Sequence, residues 1–432
     1  MTFDLYQLRD ERTVLNNPHK GWYWHYIDCG YSRPRYRDDR ALIGDVTAFP
    51  GLRQLYLRFD WCDINPRKGV YDFSYLDRIM DEWGSRGYCF SMRMCTFQCE
   101  TPRWNNNQRA TPDYVREAGA RGFDLPNNAW EPDYSDGIFL GFAEETLQAL
   151  GEHYSHDPRL EFVDVGTFGR YGEGHTQTGH YDLETLTRHI DMHRAAFPHT
   201  LLMVNDDMLH HDMTLCPELT RYCRELGLGL RDDSICVAGP ARSVAGYDTL
   251  RDPMLFDAFR HQAPVDIEFA HAELIPEDVW RSGFPALEAL RRTGATYAGF
   301  HDYPGRFLKN NSDLAEYAAN RLGYWLRPDT LKLTPHGGSV TMTNLGWAKC
   351  YLPLSLKLRL TADGAAHDLG VIADGAWEPG TTMQDFALDL TNLHGTFNIA
   401  LALNNPDGVN IRMAVNKKYL EDGWLQAGII QL

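Results

Sequence analysis

The most informative segment of the sequence is a glycine-rich stretch that follows a short apolar run, DVGTFGRYGEGH. It carries Arg170, Glu173 and His175 between glycines. Glycines let a backbone come close to a ligand, and a neighbouring arginine or histidine can shift the pKa of a carboxyl group. A carboxylate in this position can serve as a general acid or base, and a surface glutamate in a flexible loop is the alternative. We therefore take Glu173 as the first candidate catalytic residue.

A second group of acids lies in the segment PVDIEFAHAEL, at Asp266, Glu268 and Glu273. Alternate residues of a strand face opposite sides, so Asp266 and Glu268 are expected to point away from the apolar residues between them. Buried acids are costly unless they are paired or functional. Glu268 is nearer the carboxyl end of the run, so we predict it as the partner of Glu173, with Glu273 as the second choice.

Two carboxyl groups are what the hydrolysis of a glycosidic bond requires. One is protonated and assists the leaving oxygen, and the other stays ionised to meet the positive charge that develops on the sugar. A carboxyl separation of about 5–5.5 Å gives retention of configuration and about 6.5–9.5 Å gives inversion. The sequence leaves this separation open.

Short apolar runs alternate with longer amphipathic segments over residues 17–328. This β–α repeat predicts a (β/α)₈ TIM barrel. An open doubly wound sheet would usually carry a glycine-rich phosphate turn after its first strand, and the sequence has none. The eight predicted strands are Gly21–Tyr26, Gln54–Phe59, Cys89–Met94, Glu161–Gly166, Leu201–Asn205, Ile235–Ala238, Val265–Ala270 and Tyr297–His301.

After Pro328 the pattern changes to short alternating strands separated by Asp-Gly, Asn-Pro and Gly-Gly turns. This pattern is typical of an all-β sandwich. We therefore predict an α/β protein with a barrel catalytic domain at 1–328, followed by a small β-sandwich domain at 329–432. Sugar binding, packing and dimerisation are all compatible with the second domain, so a homo-oligomer is compatible with the sequence.

Side chains that follow the carboxyl ends of the strands form the active sites of such barrels. Polar or aromatic residues stand at nearly every one of these positions, as the many hydroxyl groups of a sugar would need. The long segment Thr96–Asp136 is expected to wall the cleft. The predicted substrate-binding residues are Trp22, Trp24, Asp60, Trp61, Arg93, His175, Asn205, Asp206, His301 and Asp302.

The charge and composition exclude several classes of partner. The chain has 42 basic and 59 acidic residues, which gives a net charge of −17 without any basic stripe. Nucleic acid needs basic side chains against its phosphates, so neither nucleic acid nor an anionic membrane surface is expected. The N-terminus lacks the apolar core of a signal peptide, and the nine cysteines are scattered and odd in number. We expect a cytoplasmic protein without cofactors.

Two other functions fit parts of the pattern. The strand-end aromatic residues suit a carbohydrate-binding barrel without catalysis, in which the acids only hydrogen-bond to the glycan. A metal-dependent barrel hydrolase would use some of the histidines. The usual His-x-His pattern at the end of a first strand is absent, however, so no metal site is predicted. The candidate ligands for that second alternative are His175, His210, His211, His271 and His301.

One stretch resembles a known family. Residues 58–94, RFDWCDINPRKGVYDFSYLDRIMDEWGSRGYCFSMRM, resemble β-galactosidase-like barrel glycoside hydrolases of the retaining type, and the opening NPHKGWYWHY fits a bacterial branch with a C-terminal β-sandwich. The resemblance implies an acid/base at Glu173 and a nucleophile at Glu268. The broader group has Asn before its acid/base, where this chain has Gly172. The sugar contact of that Asn is then expected from elsewhere, with Asn205 as one possibility.

Overall fold

The computed structural model describes residues 1–28, 44, 46–98, 109–211, 215–235, 253–270, 284–301 and 303–432. Its internal contacts divide the chain into two compact units. The first unit combines three segments, Met1–Gly21, Leu290–Tyr297 and Asp313–Leu432, and the second combines Trp22–Ala289 with Ala298–Ser312.

The strands of the described residues fall into a barrel, two antiparallel sheets and one hairpin. In chain order they are β1 (Thr2–Asp4), β2 (Gly21–Asp28), β3 (Leu52–Asp60), β4 (Cys89–Cys95), β5 (Gly122–Asp124), β6 (Trp130–Pro132), β7 (Leu160–Asp164), β8 (Leu201–Asn205), β9 (Gly229–Ile235), β10 (Val265–Phe269), β11 (Tyr297–Phe300), β12 (Leu326–Thr334), β13 (Gly337–Asn344), β14 (Leu354–Ala362), β15 (Ala365–Gly375), β16 (Gly380–Ala387), β17 (Thr396–Asn404), β18 (Leu420–Glu421) and β19 (Trp424–Gln431).

The helices lie mostly between the barrel strands. They are α1 (Trp61–Ile64), α2 (Ser74–Gly84), α3 (Asp113–Glu117), α4 (Gly137–Tyr154), α5 (Leu183–Ala196), α6 (Asp206–Leu209), α7 (Pro217–Glu225), α8 (Pro253–Arg260), α9 (Phe284–Thr293) and α10 (Pro304–Arg321), with short 3₁₀ turns at Leu5–Leu8, Pro126–Asn128 and Lys417–Tyr419.

Eight of these strands close into a barrel in the order β2-β3-β4-β7-β8-β9-β10-β11, so that each strand pairs with its neighbours in chain order. The pairings are parallel, as between β3 and β4 or between β9 and β10. The predicted (β/α)₈ barrel is therefore confirmed. The hairpin β5–β6 lies in the long segment between the third and fourth barrel strands, which was predicted to wall the cleft.

The sixth barrel strand begins earlier than predicted. We expected Ile235–Ala238, whereas the strand is β9, Gly229–Ile235, and residues 236–238 lie outside the described residues. The strand contains Arg231 and Asp232, both buried. Charged residues in the middle of a strand hide it from a search for apolar runs, because such a search assumes that the inner face is apolar.

The helices show why they pack onto the barrel. In α2 the buried residues Leu76, Ile79, Met80 and Trp83 follow the spacing of one helix face. Helix α4 begins after Asp136, whose Oδ1 accepts hydrogen bonds from the backbone N–H groups of Ile138 and Phe139, both at 3.0 Å. Such an N-cap satisfies backbone donors that the helix itself leaves open.

The other unit contains two antiparallel sheets, ordered β1-β12-β13-β16 and β15-β14-β17-β19-β18. In β14 the fully buried leucines 354, 356, 358 and 360 alternate with more exposed residues, as expected for a sheet with one face on a core. The predicted β-sandwich is confirmed. The N-terminal strand β1 pairs with β12, Thr2 opposite Lys332, and the predicted boundary between residues 328 and 329 falls within β12.

None of the helices in the described part of the chain is both long enough and apolar enough to cross a membrane.

Candidate active site

Glu173 lies in the loop that leaves the fourth barrel strand, β7. The residue is only 5% exposed. Oε1 accepts hydrogen bonds from Arg58 Nη1 at 2.7 Å and from Arg93 Nη1 at 3.1 Å. Arg58 and Arg93 stand opposite each other in the pairing of β3 with β4, which is why both reach the same oxygen. No described residue hydrogen-bonds to Oε2, so that oxygen is left for another partner.

The glycines around Glu173 are required by the shape of its loop. Gly172 has a φ of 69°, and a Cβ there would lie 2.6 Å from the carbonyl oxygen of Gly166. Gly174 has a φ of 96°, and a Cβ there would lie 2.3 Å from the backbone nitrogen of Met208. Residues other than glycine rarely adopt this left-handed backbone conformation. The asparagine expected before an acid/base therefore has no room at position 172.

Asp164 is the last residue of β7 and is linked to Glu173 through Arg93. Its Oδ2 contacts Arg93 at Nε (2.9 Å) and at Nη2 (2.7 Å), and it accepts a hydrogen bond from the Tyr56 hydroxyl. Arg231 Nη1 lies 3.5 Å from the same oxygen. Burial raises the pKa of Tyr56 well above its usual range, so this residue stays a neutral donor.

Arg231 joins Asp164 to the acids of the seventh barrel strand, β10. Its side chain is fully buried, and Nη1 lies 2.7 Å from Asp266 Oδ2 while Nη2 contacts Glu268 Oε2. Asp266 also accepts a hydrogen bond from the Tyr23 hydroxyl at 3.0 Å. Burial raises the pKa of Asp266 to about 6, against the opposing effect of Arg231. As predicted, Asp266 and Glu268 both face the barrel interior.

Glu268 is surrounded by cationic or hydrogen-bonding groups. His301 Nε2 lies 2.6 Å from Oε1, and His25 Nε2 lies 3.4 Å from Oε2. The two imidazole rings stack with their centroids 3.9 Å apart. Since Arg231 contacts Oε2 as well, both oxygens of Glu268 are engaged. This environment suits an ionised carboxylate.

His25, Glu268 and His301 are also the residues that could hold a metal among those the structure describes. Each offers one ligand atom, and these atoms lie within 4.8 Å of one another. Two imidazoles and a carboxylate suit zinc or iron. The Arg231 guanidinium, however, contacts the same carboxylate, and a fixed cation there competes with a metal. We therefore keep the prediction that the site works without one.

Several predicted binding residues lie close to the Glu173 loop. His175 Nδ1 is 3.1 Å from Asp207 Oδ2, and Gly174 abuts Met208, so this loop rests on α6. Asn205 is the N-cap of α6, and its side-chain oxygen accepts a hydrogen bond from the backbone N–H of Asp207 at 2.9 Å. Its Nδ2 is buried without a hydrogen-bond partner in the described chain.

Two other predicted residues, Asp206 and Asp60, are buried at the ends of β8 and β3. Asp206 begins α6, and its carbonyl oxygen lies 2.9 Å from His210 Nδ1. Asp60 accepts a hydrogen bond from Gln98 Nε2. Both residues stand at the strand ends where the sequence placed them.

The three predicted tryptophans are not brought together with Glu173. Trp22 packs against aromatic rings that include Phe49 and Phe307, at 5.9 and 5.7 Å between centroids. Trp61 Nε1 donates to Thr146 Oγ1 of α4 at 2.8 Å. Trp24 is likewise fully buried and packs against the ring of Tyr26. Adjacent strand residues face opposite sides, so Trp22 and Trp24 point outward because Tyr23 and His25 point inward. We leave all three tryptophans out of the proposed site.

Asp302 and Glu273 lie outside the described residues. The sequence reasoning missed Asp164, Arg231 and Tyr56, although alternation carried a usable signal. In the run LYLRFD, Tyr56, Arg58 and Asp60 alternate with apolar residues, as do the inner residues of β10. The same test would have placed Tyr23 inside.

Part of the barrel is similar in sequence to known proteins. Residues 54–167 match the family model for glycoside hydrolase family 42, described as Beta-galactosidase. The predicted resemblance is confirmed over this segment. It covers β3, β4 and β7, the strands that supply Arg58, Arg93 and Asp164.

A β-galactosidase of Bifidobacterium bifidum, BbgII, is 27% identical over 100 residues, which are 23% of this chain and 14% of that protein. The chain thus matches only a small part of that relative. Among solved structures, a β-galactosidase from Bacillus circulans sp. alkalophilus has a TM-score of 0.42 at 12% identity, covering 72% of this chain and 56% of that one. A β-glucanase from Saccharophagus degradans in complex with cellotetraose has a TM-score of 0.45 at 12% identity, covering 73% and 95%.

Proposed function

We propose that this protein hydrolyses a glycosidic bond of an oligo- or polysaccharide, with Glu173 as the acid/base and Glu268 as the partner carboxylate. The observation that carries the proposal is the pair of buried carboxylates that follow the fourth strand and end the seventh strand of one barrel. The match to a family described as Beta-galactosidase over residues 54–167 supports the same reaction. A β-galactoside is accordingly the first substrate to test.

The contacts of Glu173 leave one of its two carboxyl oxygens open to a substrate. Arg58 and Arg93 fix the carboxyl group through Oε1 alone. Oε2 is then available to give a proton to the leaving oxygen and to take one from the incoming water. A retaining reaction requires both steps from one residue, and we propose retention on this ground.

The contacts of Glu268 suit a carboxylate that stays ionised. Arg231 and the two imidazoles of His25 and His301 surround it. For an oxygen of Glu268 to reach the sugar, the contact to His301 or to Arg231 must open when substrate binds. Glu273 remains the second candidate for this role and is tested beside it.

The test is hydrolysis of a panel of nitrophenyl glycosides by the wild type and three variants, Glu173→Gln, Glu268→Gln and Glu273→Gln. We expect Glu173→Gln and Glu268→Gln to lose activity by at least about 10²-fold while their circular dichroism is unchanged. Glu184→Gln, on the exposed first turn of α5, is the matched control. Full activity in Glu173→Gln refutes the assignment, and loss of activity in Glu273→Gln alone moves the partner role to Glu273.

A carbohydrate-binding barrel without catalysis is the alternative function. It predicts binding on a glycan array by the wild type, together with no hydrolysis across the whole panel. Glu173→Gln would then alter binding and not turnover.

A further inference from the structure

One buried acid of the barrel interior, Asp164, contacts an arginine that also contacts Glu173. Asp164 is 2% exposed, and its Oδ1 has no hydrogen-bond partner in the described chain. Every contact falls on Oδ2, where Arg93 lies 2.9 Å away through Nε and 2.7 Å away through Nη2. One edge of the Arg93 guanidinium is thus occupied by Asp164.

The same guanidinium reaches Glu173 with its remaining nitrogen. Arg93 Nη1 lies 3.1 Å from Glu173 Oε1 and 3.3 Å from the carbonyl oxygen of Tyr171. A planar guanidinium holds two acceptors in fixed directions, which a lysine ammonium does not do. Arg93 is fully buried, so its charge is little screened by water and is divided between two carboxylates.

We propose that Asp164 is a positioning residue that shares the charge of Arg93 and thereby sets how readily Glu173 takes up a proton. The inference rests on the role proposed for Glu173. With Asp164 in place, its negative charge offsets part of the positive charge of Arg93 that acts on Glu173. Without it, Glu173 faces the full charge of Arg93 in addition to that of Arg58, and it is held in its ionised form.

Other charged and titratable residues of the described barrel strands contact this pair. Arg58 of β3 contacts Glu173, while Tyr56 of β3 and Arg231 of β9 contact Asp164. Arg231 is in turn paired with Asp266 and Glu268 of β10.

His193 of α5 also interacts with the charge of Asp164. Burial lowers the pKa of His193 to about 4. His193 and Tyr56 are therefore neutral near pH 7, so they add no charge there. The net charge that acts on the Glu173 carboxyl group then depends on the arginines and on Asp164.

The test measures the titration of the Glu173 carboxyl group in Asp164→Asn and Arg93→Lys. Carbon NMR of glutamate labelled at the carboxyl carbon gives the titration midpoint, and the signal is assigned by its absence in Glu173→Gln. Asp164→Asn is expected to lower the midpoint by about one pH unit. Arg93→Lys removes the Nη1 hydrogen bond to Glu173 and is expected to raise the midpoint. Asp157→Asn, the same substitution at an acid that pairs with Arg159 just before β7, is the matched control and is expected to leave the midpoint unchanged.

Opposite shifts in the two variants support the proposal, and a purely structural role for Asp164 would not produce them. An unchanged midpoint in Asp164→Asn, or a shift as large in Asp157→Asn, overturns it. If Asp164→Asn does not fold, Asp164→Ser is measured in its place, because it also removes the charge beside Arg93, and the same lowered midpoint is expected.

The titration needs no substrate, so its failure is distinct from a failure of the proposed hydrolysis. Where activity is present, the alkaline limb of the pH–rate profile is expected to move in the same direction as the midpoint, with a change in kcat rather than in KM.

Discussion

Two buried histidines of α5 hold the loop of Glu173 from behind, and their protonation is expected to destabilise the barrel. The backbone N–H of Gly166 donates to His193 Nε2 at 3.3 Å, so this nitrogen must carry a lone pair. His193 Nδ1 lies 2.7 Å from the carbonyl oxygen of His189 and carries the proton. His189 Nδ1 in turn contacts Thr167 Oγ1 at 2.8 Å. The lone pair on Nε2 makes the His193 imidazole neutral in the folded protein.

The sign and size of the effect follow from the pKa of each ring. Burial lowers the pKa of His193 from 6.5 to about 4 and that of His189 to about 3. The unfolded chain binds the proton first, so stability is present above about pH 6.5 and is lost as the pH falls toward 4. At about 1.4 kcal/mol per pH unit, His193 alone accounts for a loss on the order of 3 kcal/mol.

The perturbation that tests this reasoning is His193→Gln. A glutamine oxygen can accept the Gly166 N–H bond but does not titrate. Free energies of unfolding are measured by urea titration at about pH 7 and about pH 4.5. The pKa of Asp266 is raised to about 6, so its protonation stabilises the folded protein as the pH falls. The effect of His193 is therefore taken as the difference between wild type and variant in the free energy of unfolding lost between the two pH values.

We expect the wild type to lose at least about 2 kcal/mol more than His193→Gln between the two pH values. His156→Gln, at an exposed position, is the matched control and is expected to behave as the wild type. An equal loss in the wild type and in His193→Gln refutes the burial argument.

Three further predictions concern the site and its surroundings. Trp61→Phe removes the hydrogen bond to Thr146 and is expected to lower the free energy of unfolding by about 1–2 kcal/mol without changing KM, as measured by urea titration and steady-state kinetics; a raised KM would return Trp61 to the substrate site. Gly172→Ala forces a side chain into a left-handed backbone position against Gly166 and is expected to reduce kcat by at least about tenfold, whereas Gly87→Ala, at a positive φ in open space, should not. The purified protein is expected to contain less than about 0.1 metal ion per chain and to keep its activity in EDTA, because Arg231 occupies the carboxylate of Glu268; stoichiometric zinc in an elemental analysis would overturn this reading.

The barrel could be predicted from the sequence because its strands are apolar on their outer face and its helices are amphipathic. The sixth strand is the exception for a physical reason. Its inner residues form ion pairs, as Arg231 does with Asp266, so the run LRDDS does not look like a strand. Apolar periodicity finds strands whose cores are apolar, and the centre of this barrel is ionic.

The candidate carboxylates were found, but their partners were not. Glu173 was located by its glycines and Glu268 by alternation along β10. The link between them depends on which residues of neighbouring strands lie side by side, such as Arg58 with Arg93 and Arg231 with Asp266. That register comes from the stagger of strands around the closed barrel, which a single sequence does not specify. Trp22 and Trp24 were predicted to bind substrate, whereas alternation along β2 turns them away from Tyr23 and His25.

The measurement that tests the central claim most directly is azide rescue of Glu173→Ala. A dinitrophenyl glycoside has a leaving group that needs no acid, whereas a nitrophenyl or alkyl glycoside needs one. We predict that Glu173→Ala loses about 10²–10⁴-fold in kcat/KM on the glycosides with poor leaving groups and much less on the dinitrophenyl glycoside. Azide is expected to accelerate turnover of the dinitrophenyl glycoside and to yield a glycosyl azide. Equal losses on all leaving groups without an azide product would contradict the role of Glu173 as the acid/base.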